Sequence, residues 1–313
     1  MTSCDEEGRT MLINRAVPAL LAAAVWPATA CAPAEEAAPT GGASEASASE
    51  ASQADADFAR LEEEFGARLG VYAIDTGSGE EVGYNADQRF AYASTFKALA
   101  CGAVMEDNSL KEMEETVVHY DEEDLVEYSP ITEKHVDSGM TLMEICDAAM
   151  RYSDNTAGNL LFEELGGPKG FQEAMRELGD DTTISARWET ELNENLPGDE
   201  RDTTSAKAFA GNLQEYVLGD TLKKKEREAL ADMMVRSTTG DALIRAGVPE
   251  DWKVGDKSGS PAYGGRNDIA VMWPTEGDPI VLAVYSTKDT EDAESDDALI
   301  AQAAEVAVGA LED

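Results

Sequence analysis

The chain has 313 residues, enough for one large domain or two smaller ones with an ample core. Its 64 Asp and Glu residues against 24 Lys and Arg give a formal net charge of −40 at pH 7, a field that repels phosphate backbones and so excludes nucleic acid as a partner. The acids are spread through segments that keep an apolar period, as in DSGMTLMEICDAAMRYSDN, which predicts a carboxylate-covered globular body adapted to salt rather than an acidic tail.

Residues 1–30 read as an export signal: Arg9 and Arg15 precede AVPALLAAAVWPATAC, a run too short, and too interrupted by Pro18 and Pro27, to span a membrane. Export implies a secreted, periplasmic or membrane-anchored location outside the cytoplasm. Cys31, directly after ATA, resembles the acceptor cysteine of a bacterial lipoprotein, which would be the one attachment to a membrane; a plain cut near Ala30 or Ala32 fits equally well. The acidic CDEE upstream of Arg9 is unusual in a signal and allows translation to begin at Met11. Residues 31–54 contain Ala, Ser, Glu, Gly and Pro but no large apolar residue, and are expected to form a disordered tether.

From Asp57, the spacing of Phe58, Leu61, Phe65 and Leu69 predicts an amphipathic helix. Two strand-like runs follow, VYAIDT and EVGYNA, joined by the turn signal GSGE. From about Ala93 to Met234 the pattern is mainly helical. Strand signals return in WKVGDKSGS, DIAVMWP and IVLAVYST, and an Ala-rich helix closes the chain from about Ser295 to Leu311. Residues 55–90 and 236–313 therefore predict an α/β part, an antiparallel sheet flanked by terminal helices, with an all-helical region, 91–235, inserted into it. That is an α+β architecture, and the junction of its parts is where a ligand crevice is expected.

The stretch AYASTFKALACGAV puts Ser94 and Lys97 on one face if it is helical, among apolar and small neighbours. An unpartnered buried ammonium costs several kcal/mol, so Lys97 either runs its stem out to water or serves a nucleophilic Ser94 as proton acceptor. Further on, SDN covers Ser153, Asp154 and Asn155 at the end of an apolar helix, and KSG covers Lys257, Ser258 and Gly259 on a strand. Between them, RWETELNENLPGDERD, residues 187–202, reads as an Ω-type loop whose ends an Arg187–Asp202 ion pair would clip. Singly, a helix terminus, a protective edge lysine and a solvated acidic loop explain each of these. Cys101 and Cys146 lie on apolar helical patterns; in an exported protein they either form a bridge or remain buried thiols. With no C-x-x-C and only His119 and His135, far apart, the sequence predicts no metal site and no cofactor.

Together and in this order, S-x-x-K, S-D-N and K-S-G resemble the signature of the class A serine β-lactamases. The segments DLVEYSPITEKH, MRYSDNTAGNLL, RWETELNENLPGDERDTTS and GRNDIAVMWP extend the similarity from about Asp55 to the C-terminus. The resemblance implies a monomer that hydrolyses small-molecule β-lactams such as penicillins and cephalosporins without a cofactor. It implies Ser94 as nucleophile, Lys97 as its basic partner, Glu189 as general base for a deacylating water that Asn193 helps to position, and Ser153 as proton relay to the lactam nitrogen. Lys257 and Arg266 are implied for the substrate carboxylate, with Ser258 as a hydroxyl partner; the N–H groups of Ser94 and Ser260 are implied for the oxyanion, Asn155 and Asn159 for the substrate side chain and the loop, and Tyr128 for the cleft wall. Asp154 is expected to satisfy backbone donors.

The departures are Ser258 where Thr is commonest, Thr190 where a proline often stands, and Pro261 after Ser260. Ala93 and Pro261 stand where some carbapenem-hydrolysing relatives carry cysteines, so that activity is not expected; Ser260 points to cephalosporins. A penicillin-binding transpeptidase or D,D-peptidase would share the fold but lack a loop glutamate, and a β-lactam-sensing lipoprotein would hold its adduct; WETELN favours the hydrolase.

Overall fold

The computed structural model describes residues 43–312, with side chains from 53 to 311; the expected export signal, Cys31 and the tether up to residue 42 lie outside the described residues. Helix α1, Ala43–Phe65, leads into β1, Arg68–Asp75, and β2, Glu81–Tyr84. Two expectations change here. The helix stops at Phe65 because Gly66 adopts φ 55°, so Leu69, read as the fourth apolar position of that helix, faces the core from β1 instead. Residues 43–54, expected to be disordered, form the first half of α1. A stretch without large apolar residues cannot build a core, yet Ala and Glu favour helix, and a helix already docked through Ala54, Phe58 and Leu61 extends at one hydrogen bond per added residue.

A short strand β3, Phe90–Ala91, opens the region between the strands of the main sheet. There follow α2, Phe96–Asp107, α3, Leu110–Glu115, and a two-residue ladder of β4, Val117–Val118, with β5, Met140–Thr141. Next come α4, Leu142–Arg151, α5, Asn155–Glu164, and α6, Pro168–Glu177. Strand β6, Thr203–Thr204, pairs with β3, and α7, Ala206–Val217, and α8, Lys224–Val235, complete the helices of this region. Capping boxes at Ser109–Glu112 and Thr141–Glu144 fix the starts of α3 and α4.

Strands β7, Lys253–Gly259, β8, Asn267–Trp273, and β9, Ile280–Thr287, then join the first two in an antiparallel sheet of order β2-β1-β9-β8-β7, before α9, Asp297–Glu312. The central strands are buried on both faces, so their side chains alternate between two cores. Ile269, Val271, Val281, Ala283 and Tyr285 face α2 and α7; Ala270, Met272, Leu282 and Val284 face α1 and α9. Strand β7 is an edge strand, and its outer border faces the turn that carries Ser94.

Candidate active site

Ser94 lies in a single 3₁₀ turn, Ala93–Thr95, that runs into α2, and Lys97 sits in the first turn of that helix. The i, i+3 relation holds: Lys97 Nζ donates to Ser94 Oγ at 2.8 Å. The Lys97 side chain is fully buried, and its ammonium is satisfied by the Ser153 carbonyl at 3.0 Å, Asn155 Oδ1 at 2.6 Å and Glu189 Oε1 at 2.9 Å. It therefore does not run out to water. Burial lowers the Lys97 pKa, and the Glu189 carboxylate opposes that shift.

Glu189 approaches from the loop between α6 and β6, with Oε1 3.4 Å from Ser94 Oγ and Oε2 accepting from Asn193 Nδ2 at 2.6 Å. Its backbone is clamped by one residue of α5. Asn159 Oδ1 accepts the Glu189 N–H at 2.8 Å while Asn159 Nδ2 donates to the Glu189 carbonyl at 3.1 Å. Both halves of that amide hold the loop through the backbone of Glu189. The Glu189–Thr190 peptide is cis, with Thr190 at the position where the resemblance often has a proline.

The loop ends meet as the charges predict. Arg187 Nε donates to Asp202 Oδ2 at 2.5 Å, and Asp202 Oδ1 accepts the N–H groups of Ala186 and Arg187 at 2.8 and 3.0 Å. Tyr92, which is fully buried, adds its hydroxyl to Asp202 at 3.2 Å and to Ser185 at 2.8 Å.

Ser153 and Asp154 lie between α4 and α5, and Asn155 is the first residue of α5. Asp154 caps α5 through the Ala157 N–H and also accepts the N–H groups of Ile131 and Thr132 and the Thr132 hydroxyl, so it satisfies backbone donors as expected. Asn155 gives Oδ1 to Lys97 and donates Nδ2 to the Glu127 carbonyl at 2.9 Å. Ser153 Oγ accepts from Lys257 Nζ at 3.1 Å. Ala93, Tyr128 and Ser153 have φ of 45°, 63° and 58°, left-handed conformations that cost of order 1–3 kcal/mol each and that cluster around this crevice. Tyr128 is 58% exposed at its rim.

Lys257 reaches the crevice from β7, fully buried, with the Ser258 carbonyl at 2.9 Å. Burial and the nearby Lys97 ammonium bring its pKa down to about 7, against the pull of Asp256 and Asp268. Arg266 donates to Ser260 Oγ at 2.5 Å and to Asp297 Oδ1 at 2.6 Å, so the expected carboxylate anchor stands next to Ser260 but is shared with an acid of α9. Pro261 lies two residues beyond Gly259, the end of β7, and removes no ladder donor.

Several supporting residues stand outside the sequence motifs. Gly158 of α5 leaves room for Lys97, since a Cβ there would stand 2.6 Å from Lys97 Cε. Thr239 Oγ1 lies 2.7 Å from Ser258 Oγ, and Arg245 engages Asp256, the buried neighbour of Lys257. The hydroxyl cluster STTG after α8 was the available signal for Thr239; nothing local pairs Arg245 with Asp256. Cys101 and Cys146 are bonded, linking α2 to α4 beneath this site. Among the described residues no group of His, Cys, Asp and Glu side chains could hold a metal ion, and no helix is long and apolar enough to cross a membrane.

Comparison with known proteins agrees with this geometry. A sequence model described as the β-lactamase enzyme family matches residues 53–311. A β-lactamase of Bacillus amyloliquefaciens is 55% identical over 254 residues, covering 81% of this chain and 83% of that protein. The crystal structure of a halotolerant bacterial β-lactamase superposes with a TM-score of 0.81 at 57% identity, over 82% of this chain and 99% of the other. That of a class A β-lactamase from Clostridium kluyveri gives 0.82 at 49% identity, over 83% and 99%.

Proposed function

The chain belongs to the β-lactamase enzyme family as a class A serine β-lactamase, a hydrolase of β-lactam antibiotics that confers resistance to them, and from that premise we propose how its residues divide the reaction. Ser94 Oγ attacks the lactam carbonyl while its proton passes to Lys97, acting as the neutral amine that burial favours, or, through water, to Glu189, which stand 2.8 and 3.4 Å away. The N–H groups of Ser94 and Ser260 receive the oxyanion, each donor contributing about 3 kcal/mol. Ser153, held by Lys257, hands its proton to the departing nitrogen and takes one in turn from the Lys257 ammonium, which opens the ring and leaves an ester on Ser94.

Glu189 then takes a proton from a water oriented with Asn193, and the hydroxide attacks the ester and releases Ser94. Lys257, Ser258 and Arg266 receive the substrate carboxylate, Asn155 contributes its remaining N–H to the substrate side chain, and Tyr128 closes the rim. The observation that carries the reading is the convergence of Ser94, Lys97 and Glu189 within 3.4 Å of one another inside a buried site.

Residues 1–30 are read as a signal for an exported enzyme, lipidated at Cys31 or cut nearby, and the segment from there up to the start of α1 at Ala43 as its tether. Residues 55–90 and 236–313, with 91–235 inserted, are the two parts between which the substrate lies. The net charge of −40, together with a structural relative described as halotolerant, supports a monomer adapted to salt.

The test is a chromogenic cephalosporin in high salt. Steady turnover by the parent and a stoichiometric burst from Glu189→Ala agree with the reading. A stoichiometric burst from the parent itself would make the protein a transpeptidase-like or sensing acceptor.

A further inference from the structure

Arg68 opens β1, Arg89 precedes β3 and Lys288 follows β9, and the three line a cavity of about 580 Å³ of which residues 195–200, in the loop that carries Glu189, form one wall. Their pairing is unusual for this chain. Every other arginine among the described residues has a carboxylate oxygen within 4.0 Å. Arg68 and Arg89 have none within that distance among the described residues, although acids outnumber bases 64 to 24, and neither has Lys288.

The guanidinium of Arg68 lies 4.0 Å over the Phe90 ring and donates to Gln88 Oε1 at 3.1 Å and to the Arg89 carbonyl at 2.8 Å. Arg89 donates through one nitrogen to Thr203 Oγ1 at 3.1 Å, leaving further guanidinium N–H groups for a ligand. The cavity also has acids. Asp199 is already gripped by Arg201 at 2.6–3.1 Å, and Glu200 and Asp289 are exposed at the rim. Apolar surface comes from Phe90, Leu196 and Tyr263, and Leu196 is 42% exposed.

We infer that this cavity is a second binding site, for a small monocarboxylate with a flat apolar body. Arginine forks match carboxylate geometry, Lys288 adds a point charge, and the apolar wall takes the body. The rim acids Glu200 and Asp289 repel ligands of higher negative charge. Among the groups of this site only Asn195–Glu200 belong to the loop of Glu189, so the site stands apart from the Ser94 crevice.

Benzoate is the probe, titrated at low ionic strength into the isotopically labelled full chain and followed by NMR. The amides of Leu196 and Gly198 should shift saturably, and benzoate should not compete with a chromogenic cephalosporin for hydrolysis. Arg68→Gln and Arg89→Gln should each weaken benzoate about tenfold, the order of one charge-assisted hydrogen bond, with turnover retained. Benzyl alcohol, without charge, and sulfate, without an apolar body, should both bind more weakly. The proposal is overturned if the shifts stay linear with concentration, if they centre on Lys257 and Arg266 with competitive inhibition, or if affinity is unchanged in the glutamine variants. Should Arg89→Gln not fold, the exposed Arg68→Gln and Lys288→Gln carry the same comparison.

Discussion

Asp202→Asn removes one charge from the point where the two ends of the Glu189 loop meet. The aspartate is fully buried and takes four donors: Arg187 Nε, the N–H groups of Ala186 and Arg187, and the Tyr92 hydroxyl. Asparagine keeps one acceptor oxygen and turns an NH₂ toward donors, so at least one of them loses its partner. Arg187, only 11% exposed, keeps Glu194 as its remaining carboxylate. Removing one partner of a buried pair costs about 3–5 kcal/mol, and the surviving Glu194 contact brings the expectation to about 2–4 kcal/mol. For a folded body of this size that corresponds to a Tm lower by roughly 5–15 °C. Denaturant unfolding reads the stability, and quench-flow with intact-mass detection reads acylation and deacylation separately. Deacylation should fall more than acylation, because Ser94 in the turn before α2 and Lys97 on α2 lie outside the loop, while Glu189 depends on it. Stability within about 0.5 kcal/mol of the parent, the scatter of an ordinary surface substitution, together with unchanged deacylation would refute the reasoning.

Lys257 is a lysine whose charge changes near neutral pH. Its folded pKa of about 7 lies below the ordinary lysine value, so its ammonium is lost as pH rises through about 7, and kcat/KM for a carboxylate-bearing substrate should fall there. A bound carboxylate stabilises the ammonium, which moves the limb in kcat to higher pH; Lys257→Arg, charged throughout, should abolish the limb, and its persistence would assign it elsewhere. The Cys101–Cys146 bond closes a loop with a sequence separation of 45, so reduction should cost about 4 kcal/mol in denaturant unfolding by the loop-entropy relation. Alkylation without reductant should leave both cysteines unmodified. The net charge of −40 predicts a Tm that rises from low to molar potassium chloride, where the screening length falls to about 3 Å; a flat or falling Tm would contradict it.

What the sequence made legible follows from the range of each interaction. Strands β8 and β9 were readable because both faces are buried, which makes Ile269–Trp273 and Ile280–Tyr285 unbroken apolar runs. Ser94 and Lys97 were readable because three residues along a helical turn fix their contact, and Arg187 with Asp202 because a compact loop must close its ends. The two-residue ladders of β3 with β6 and β4 with β5 were invisible, since two residues carry no period. Other features depend on contacts that no local pattern encodes: Asn159 clamping both backbone groups of Glu189, Arg266 shared between Ser260 and Asp297, and Thr239 beside Ser258. The extension of α1 back to Ala43 carries no apolar signal for a different reason: a segment without core-forming residues can still continue a helix that is docked further along.

The account rests on Ser94 carrying the opened antibiotic and on Glu189 removing it. The direct measurement is to quench Glu189→Ala with a cephalosporin, digest it, and locate the added mass by tandem mass spectrometry, with the parent treated alike. The account predicts a stoichiometric acyl group on Ser94 in the variant and almost none in the parent at the end of turnover. An acyl group on another residue, or a variant that turns over as fast as the parent with no adduct, would contradict it.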